Sequence, residues 1–367
     1  MADWSKRTSA RRYRYMRVDR KTGREVARLD MLRGGKITRN LDVRVMETAE
    51  VTTVGSLSIG PDLVRIYMDA EWPDGEKQSV ALGTFIPTIP SRDVNARFSR
   101  SRVTMRGRLQ ELLDDGFSTP LVLPGGTNAV DAARKACEEV GLTVIADPSD
   151  FTITRERVYG IGAEQNNSEV GDTKLDMVND LLSLAGFWAA KTDPYGRVLL
   201  RKHRAVSERP PVWSFTEGPS AIFEPQMEEE RNTASVANHV VCYYSSDKET
   251  VVGEAWDRDP DSEFSTVSVG RTITKSYAYT DLPDGKSQQE RQAHADNAAK
   301  SLLGTAQSVI HRVRLRHAYA PMTVTEAVDV SYPSGRIAGR YEIRVQEMEL
   351  SGGTPTNTEL RSWERWS

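Results

Sequence analysis

The feature that most constrains the fold is a change of hydrophobic period along the chain. Residues 36–47 alternate between apolar side chains and polar ones, namely Ile37, Leu41, Val43 and Val45 against Thr38, Asn40, Asp42 and Arg44. Alternation with a period of two is typical of a strand with one buried face. The pattern returns near the C-terminus at Arg340–Leu350. Both ends of the chain are therefore predicted to be β structure.

The first section, residues 1–102, is predicted to be a small antiparallel β-barrel or sandwich. Two tight-turn signals, Lys21-Thr22-Gly23 and Pro73-Asp74-Gly75, lie between extended runs. The predicted strands are Tyr13–Val18, Glu25–Leu32, Lys36–Glu47, Val64–Trp72 and Gln78–Ile86.

The middle section, residues 103–206, has helical spacing of its apolar residues. Helices are predicted at Thr104–Leu113, Ala129–Val140 and Leu175–Ala185, the second between a Thr127-Asn128 cap and a Gly141 stop. A β-hairpin is predicted around Asp193-Pro194-Tyr195-Gly196. This section is predicted to be a separate α+β domain.

The last section, residues 207–367, alternates again after a proline-containing linker at 208–211. Predicted strands are Ala237–Tyr244, Ser265–Thr274, Val309–Ala318 and Arg340–Leu350, and one helix is predicted at Gln288–Leu303. The predicted fold class is therefore α+β, with two antiparallel β-barrel or sandwich domains flanking an inserted α+β domain.

Charge is divided unevenly, although the chain of 367 residues has a net charge of only −3. Residues 1–108 hold 22 Lys/Arg and 13 Asp/Glu, whereas the remainder holds 27 and 39. Such asymmetry indicates that different faces meet different partners. No stretch is long and apolar enough to predict a membrane span.

The sequence offers little that could carry catalysis, a cofactor or a metal. Cys137 and Cys242 lie among apolar neighbours and are predicted to be core residues. The five histidines are not in a close ligand pattern and are predicted to be surface or strand residues. There is no Gly-x-Ser-x-Gly motif for a serine nucleophile. We therefore expect no enzymatic activity, no cofactor and no resident metal.

Two groups of residues are candidates for contacts between subunits. Arg11, Arg12 and Arg14 lie in a basic N-terminal stretch with neighbouring tyrosines, which favours a protein contact surface over nucleic-acid binding, the alternative. Trp363 and Trp366 lie in a polar C-terminal segment, where they could be interface anchors or pack on their own domain.

The order of motifs resembles that of bacteriophage tail hub proteins, the central baseplate hubs and the N-terminal hub parts of tail-tip proteins. The motifs of the first section are Val18–Gly23, Gly34–Asn40, Pro73–Gly75 and Leu82–Phe85. Those of the middle section are Leu109–Asp115, Gly125–Thr127, Leu175–Phe187 and Asp193–Arg197. Those of the last section are Asn238–Val240, Ala293–Leu303 and Gly339–Tyr341.

This resemblance implies that the β domains are tube-like and that three chains present six similar modules. A homotrimer would then join a six-fold tail tube or distal tail protein ring to a three-fold tip, spike or fibre protein. The implied location is the tail tip or baseplate of a virion, assembled in the host cytoplasm. Alternatives are a distal tail ring protein and a tail-borne cell-wall hydrolase.

An acidic run adds a hypothesis about the channel of such a ring. Residues 217–263 hold 12 acidic and 3 basic residues. If some of the acids face the channel, like charge would keep passing DNA from binding. The candidate lining residues are Glu228, Glu229, Glu230, Asp257, Asp259 and Asp261.

Overall fold

The computed structural model describes residues 3–30, 32–54, 59–94, 99–160, 173–232, 236–245, 250–279 and 287–365. The chain forms two compact units. The first unit comprises Met1–Met227 and Arg314–Leu360, and the second comprises Glu228–Val313 and Arg361–Ser367. The division into three domains inferred from the sequence stays a prediction.

The first section of the chain is a series of antiparallel strands. They are β1 (Ala10–Val18), β2 (Glu25–Arg28), β3 (Leu32–Asn40), β4 (Glu47–Val54), β5 (Leu63–Glu71), β6 (Lys77–Val94) and β7 (Ser99–Gly107). The predicted Pro73-Asp74-Gly75 turn joins β5 to β6, with the Gly75 amide donating to the Trp72 carbonyl at 3.0 Å. Gly35 forms a bulge where β3 meets β4, and a Cβ there would lie 1.9 Å from the Glu50 carbonyl oxygen.

The described part of the middle section contains three α-helices and short strands. These are α1 (Gln110–Asp114), β8 (Leu121–Leu123), α2 (Ala129–Glu139), β9 (Val144–Ala146), β10 (Arg157–Tyr159), α3 (Lys174–Leu184), β11 (Lys191–Thr192) and β12 (Val198–Leu200). Asn128 caps α2 as predicted, accepting from the Asp131 amide at 3.0 Å. Thr173 and Asp176 form a capping box at α3.

The last section returns to β structure. Its elements are a 3₁₀ turn (Val206–Glu208), β13 (Trp213–Thr216), β14 (Phe223–Asn232), β15 (His239–Ser245), β16 (Thr250–Trp256), α4 (Thr266–Val269), β17 (Thr274–Tyr279), α5 (Gln288–Ala306), β18 (Ser308–His317), β19 (Ala327–Tyr332), a 3₁₀ turn (Pro333–Gly335), β20 (Ile337–Glu349) and β21 (Thr356–Arg365).

Strands from both ends of the chain share one thirteen-stranded sheet. Its order is β14-β18-β21-β20-β3-β4-β7-β6-β5-β1-β2. Two further strands lie off this path, because β19 pairs with β20 and β13 pairs with β19. The two ends meet where β20 pairs antiparallel with β3, from Val345 opposite Asn40 to Glu349 opposite Lys36. The predicted α+β class, dominated by antiparallel β structure, is confirmed.

Among the described residues of the first unit, one apolar cluster lies under the sheet and another lies in the middle section. The cluster under the sheet includes Ile37, Ile66, Phe85, Met105 and Met348. The cluster of the middle section packs α2 and α3 together through residues including Val130, Cys137, Leu175, Leu182 and Leu200. Val45 of the first section also packs into the cluster of the middle section. The middle section therefore has a core built mainly from its own residues.

The second unit packs α5 against a small three-stranded sheet of order β16-β15-β17. Ala295 and Ala299 of the helix face Val240 and Cys242 of the central strand. Gly253 of β16 permits this contact, because a Cβ there would lie 2.2 Å from the backbone of Ala295. Small residues thus bring the helix unusually close to the sheet.

The predicted helix at Thr104–Leu113 is wrong in its first half. Residues through Gly107 belong to β7, and only the short α1 follows. Val103 and Met105 are buried, whereas Arg106 is exposed, as a period of two requires. So short a run of apolar residues fits both the helical period and the strand period. It forms a strand because it pairs with β4 on one side and β6 on the other.

The predicted strand at Lys36–Glu47 is interrupted. Asn40 ends β3, and its amide donates to the Met46 carbonyl at 2.8 Å to close a turn before β4. Val45 leaves the sheet pattern because it packs into the core of the middle section. The apolar residues of this stretch are therefore buried in two places, Ile37 under the sheet and Val45 in the middle section, rather than along one face of a single strand.

The predicted strand at Ser265–Thr274 is also wrong. Ser265 caps the short α4, accepting from the Ser268 amide at 3.1 Å, and Gly270 ends it with a φ of +68°. The next strand begins at Thr274. Strands β16, β19 and β21 had no sequence prediction at all.

Candidate interaction surfaces

Arg11 is held inside its own unit. Its Nε donates to Thr8 Oγ1 at 3.0 Å, and its guanidinium also bonds the Gly353 carbonyl and lies 5.8 Å from the Trp4 ring. Burial lowers the pKa of Arg11. This side chain links the first and last sections of the chain within the first unit.

Arg14 is also paired, but Arg12 is exposed. Arg14 donates to both carboxylate oxygens of Asp69, at 3.2 and 3.3 Å, and lies 4.5 Å from the Tyr67 ring. The hydrogen bond to Asp69 raises the pKa of Arg14. Of the three predicted contact arginines, Arg12 is the one whose side chain is directed to solvent.

The C-terminal tryptophans belong to a strand rather than to a loose tail. Trp363 lies on β21, between the buried Ser362 and the strand end, and is 43% exposed. Trp366 lies outside the described residues. The role of both as subunit anchors stays a prediction.

The three glutamates of β14 are exposed, and two have cationic partners in the second unit. Glu229 Oε1 lies 2.7 Å from His311 Nε2 and 3.1 Å from Arg231 Nη2. Glu230 Oε2 lies 2.5 Å from Arg312 Nη1. Glu228 is exposed. The local negative charge is therefore smaller than the sequence count implies.

Asp257 differs from Asp259 and Asp261, which are exposed. The Asp257 side chain is buried, and its Oδ2 accepts from Ser262 Oγ and Gln307 Nε2, both at 2.6 Å. Its Oδ1 accepts from the Asp259 amide at 3.1 Å. These contacts give Asp257 a role in ordering the loop after β16.

A charged face of the large sheet was missed by the sequence analysis. In the first unit, ion pairs on this face join four basic and five acidic side chains on seven adjacent strands. They are Glu224 on β14, Arg314 and Arg316 on β18, Glu359 on β21, Glu347 and Glu349 on β20, Lys36 on β3, Glu50 on β4 and Arg102 on β7. We call this set the charged sheet face.

Every cation of the charged sheet face has a carboxylate within reach. The Arg314 guanidinium lies 3.0 Å from Glu359, and Arg316 lies 3.5 Å from Glu224 and 3.7 Å from Glu349. The other pairs are Lys36 with Glu347 at 3.4 Å and Arg102 with Glu50 at 3.2 Å. Alternate residues Arg312, Arg314 and Arg316 were the available sequence signal.

The two histidines of β18 are strand residues, as predicted, but not surface ones. His311 and His317 are both buried, because residues six apart on a strand lie on the same face. Burial lowers the pKa of His317 to about 4. This side chain is therefore neutral near pH 7.

Both cysteines are buried, and the prediction that they are core residues is confirmed. Burial raises the pKa of Cys137 to about 12 and also raises the pKa of Cys242.

Among the residues that the structure describes, no cluster of three or more His, Cys, Asp or Glu could hold a metal ion. Within the same residues, no helix is long and apolar enough to cross a membrane.

No family model and no curated protein matches the sequence. Solved structures do match the fold. The tail protein from Neisseria meningitidis MC58 has a TM-score of 0.65 at 15% identity, covering 95% of this chain and 96% of that chain. The 43 kDa tail protein of prophage MuSo2 from Shewanella oneidensis has a TM-score of 0.59 at 10% identity, covering 96% and 97%.

A chain of the lidded Francisella PdpA–VgrG complex is also similar, with a TM-score of 0.56 at 8% identity, covering 98% of this chain and 55% of that chain. At such identities the similarity concerns the fold. The chain therefore has, along almost its whole length, the fold of tail proteins that its motifs resemble.

Proposed function

We propose that the chain is a non-enzymatic structural component of a virion tail, the trimeric hub at the tail tip or baseplate. The observation that carries this proposal is the end-to-end similarity of fold to the Neisseria and MuSo2 tail proteins. The first of these matches covers 95% of this chain, so nearly all of the chain takes part in the shared fold.

The arrangement of strands supports a trimer. Each chain supplies one β section from its beginning and one from its end, joined through the pairing of β3 with β20. Three copies would offer six β sections to a neighbouring ring. The proposed partners are the tail tube or a distal tail protein ring on one side and a tip, spike or fibre protein on the other.

We assign the charged sheet face to the channel through which DNA would pass. Exposed ion pairs stabilise a fold by only about 0–1 kcal/mol each. Their larger effect is on the surface potential, because a paired guanidinium is less available to a phosphate. A lumen of paired charges would let DNA pass without binding. The exposed acids Glu228, Glu229 and Glu230 would add to this effect if they too face the channel.

The test is the mass and symmetry of the purified full chain. Light scattering is expected to give three times the chain mass of 41.0 kDa, and electron micrographs should show a ring with a central hole. A six-membered ring would favour a distal tail ring protein instead. A compact monomer at micromolar concentration, or hydrolysis of purified peptidoglycan by the protein, would contradict the proposal.

A further inference from the structure

The hairpin of β11 and β12 has a turn that is ordered by its own residues. Asp193 Oδ1 accepts from the amides of Tyr195 and Arg197, both at 2.9 Å, and its Oδ2 accepts from Arg197 Nε at 2.6 Å. Gly196 completes the turn with a φ of +80°. The turn can therefore act as a rigid body.

This rigid turn is inserted against the first β section through backbone carbonyls. Thr84 Oγ1 on β6 donates to the Pro194 carbonyl at 2.9 Å. Arg65 on β5 donates to the Tyr195 carbonyl at 3.3 Å, and its guanidinium lies 5.1 Å from the Tyr195 ring. Each contact joins a buried polar side chain of the sheet to the hairpin.

Both residues of β11 also make polar contacts, Thr192 with the first β section and Lys191 with the last. Thr192 Oγ1 donates to the buried carboxylate of Glu47 on β4, which also lies 3.4 Å from Arg39 Nε. Lys191 Nζ donates to the Val324 carbonyl at 3.2 Å and also bonds Thr325 Oγ1. The hairpin thus contacts the first and last β sections at once.

Thr325 is held in a strained conformation at this point. Its φ is +70°, a region that β-branched residues rarely adopt. Its carbonyl accepts from Arg209, and its amide donates to the Ile343 carbonyl at 2.9 Å. A strained backbone persists only where its surroundings hold it, so the contact from Lys191 helps to maintain this conformation.

The contacts of the hairpin turn and of β11 with the two β sections are polar, and Val45 is the buried residue of the first β section that packs into the apolar cluster of the middle section. A junction that is mostly polar allows relative motion unless it is specifically locked. We propose that the β11–β12 hairpin is a conformational latch, which holds the α+β section in one orientation on the β scaffold and can open as a unit. This inference concerns the isolated chain and does not depend on the proposed function.

Hydrogen–deuterium exchange on the full chain tests the latch. The double variant Lys191→Met/Thr192→Val keeps the side-chain size but removes the polar contacts to Thr325 and Glu47. We expect amides of residues 191–197 and 323–326 to exchange at least tenfold faster, with α2 and α3 unchanged. The matched control, Lys202→Met/Thr216→Val, alters two exposed side chains of the same types and should change neither region.

Two results would overturn the proposal. One is unchanged exchange at 191–197 and 323–326 in the double variant. The other is an equal increase throughout α2 and α3, because that would mean loss of the section's fold rather than opening. The variant Thr325→Asn, which tolerates a positive φ and keeps a side-chain oxygen, should exchange no faster than the parent. Faster exchange in this variant would contradict the role of strain.

Discussion

His317 and Thr358 form a buried hydrogen bond between β18 and β21, with 2.8 Å between His317 Nε2 and Thr358 Oγ1. The other ring nitrogen, Nδ1, lies 2.6 Å from the Ala318 carbonyl oxygen. A carbonyl can only accept, so Nδ1 carries the proton and Nε2 accepts from the threonine hydroxyl. The site is therefore built for a neutral imidazole.

A neutral, buried histidine predicts loss of stability on acidification. Burial lowers the pKa of His317 to about 4, below the value of 6.5 for a free side chain. The unfolded chain consequently binds a proton that the folded chain does not between these two values. The unfolding temperature should fall as the pH decreases from about 6.5 to about 4, with a cost approaching about 3 kcal/mol.

The variant His317→Gln isolates this contribution. Glutamine can donate to Ala318 and accept from Thr358 without titrating, so its unfolding temperature should fall less over the same pH range. The exposed His294 on α5 provides the control, and His294→Gln should retain the full pH dependence. Parallel curves for the parent and His317→Gln would contradict the prediction.

Gly253 is expected to be intolerant of any side chain. An added Cβ would meet the Ala295 backbone at 2.2 Å and would push α5 away from β16. We expect Gly253→Ala to destabilise the second unit by about 1–3 kcal/mol, the usual cost of overpacking. Gly116→Ala, where an added Cβ has no neighbour within 4 Å, is the control for thermal unfolding. Equal unfolding temperatures for the two variants would refute this account.

Local signals in the sequence predicted the well-capped elements. Asn128 and Gly141 marked α2, and the Pro73-Asp74-Gly75 turn marked the hairpin of β5 and β6. Elements without such signals were missed or misassigned, because β21 is rich in threonine and charge, and the few apolar residues of β7 fit either period. Local chemistry therefore accounts for most correct boundaries.

The candidate surfaces could be predicted only in part, for a different reason. The basic and acidic runs were visible, but the partner of each charge is distant in sequence. Arg316 pairs with Glu224 and Glu349, and Arg14 pairs with Asp69, only because β-strand register brings them together. Charge counting cannot show which residues are already neutralised. Arg11 and Arg12 are adjacent on β1 and so point to opposite faces of the sheet, and only Arg12 is exposed.

Arg12 provides a direct test of the predicted subunit contact. Arg12 is exposed but lies opposite Asp69 on β5, so Arg12→Glu should lower the unfolding temperature by no more than about 2 °C, as expected for a like-charge cross-strand pair that costs less than about 1 kcal/mol. If Arg12 contacts a neighbour, the same change should weaken ring assembly about tenfold or more by sedimentation. Lys135→Glu, an exposed charge reversal on α2, should leave assembly unchanged. Equal assembly of the two variants would remove Arg12 from the interface.

The charged sheet face should gain affinity for DNA when its acids are neutralised. The triple variant Glu50→Gln/Glu224→Gln/Glu359→Gln removes the carboxylate 3.2 Å from Arg102, the carboxylate 3.0 Å from Arg314 and one of the two carboxylates beside Arg316. The logarithm of the binding constant falls linearly with the logarithm of the salt concentration. Each cation that then contacts a phosphate should make this slope more negative by about 0.9. The measurement is the affinity of the assembled protein for short duplex DNA from 50 to 200 mM salt.

The control for this variant is Glu138→Gln/Asp150→Asn/Glu156→Gln, which removes the same charge from exposed positions of the α+β section. A general effect of net charge would raise DNA affinity equally in both variants, whereas the loss of carboxylates beside the arginines of one face would raise it only in the first. Binding that stays weak in both variants would separate the charged sheet face from any DNA path. The difference between the two slopes therefore measures whether cross-strand pairing, rather than overall charge, keeps this surface from holding DNA.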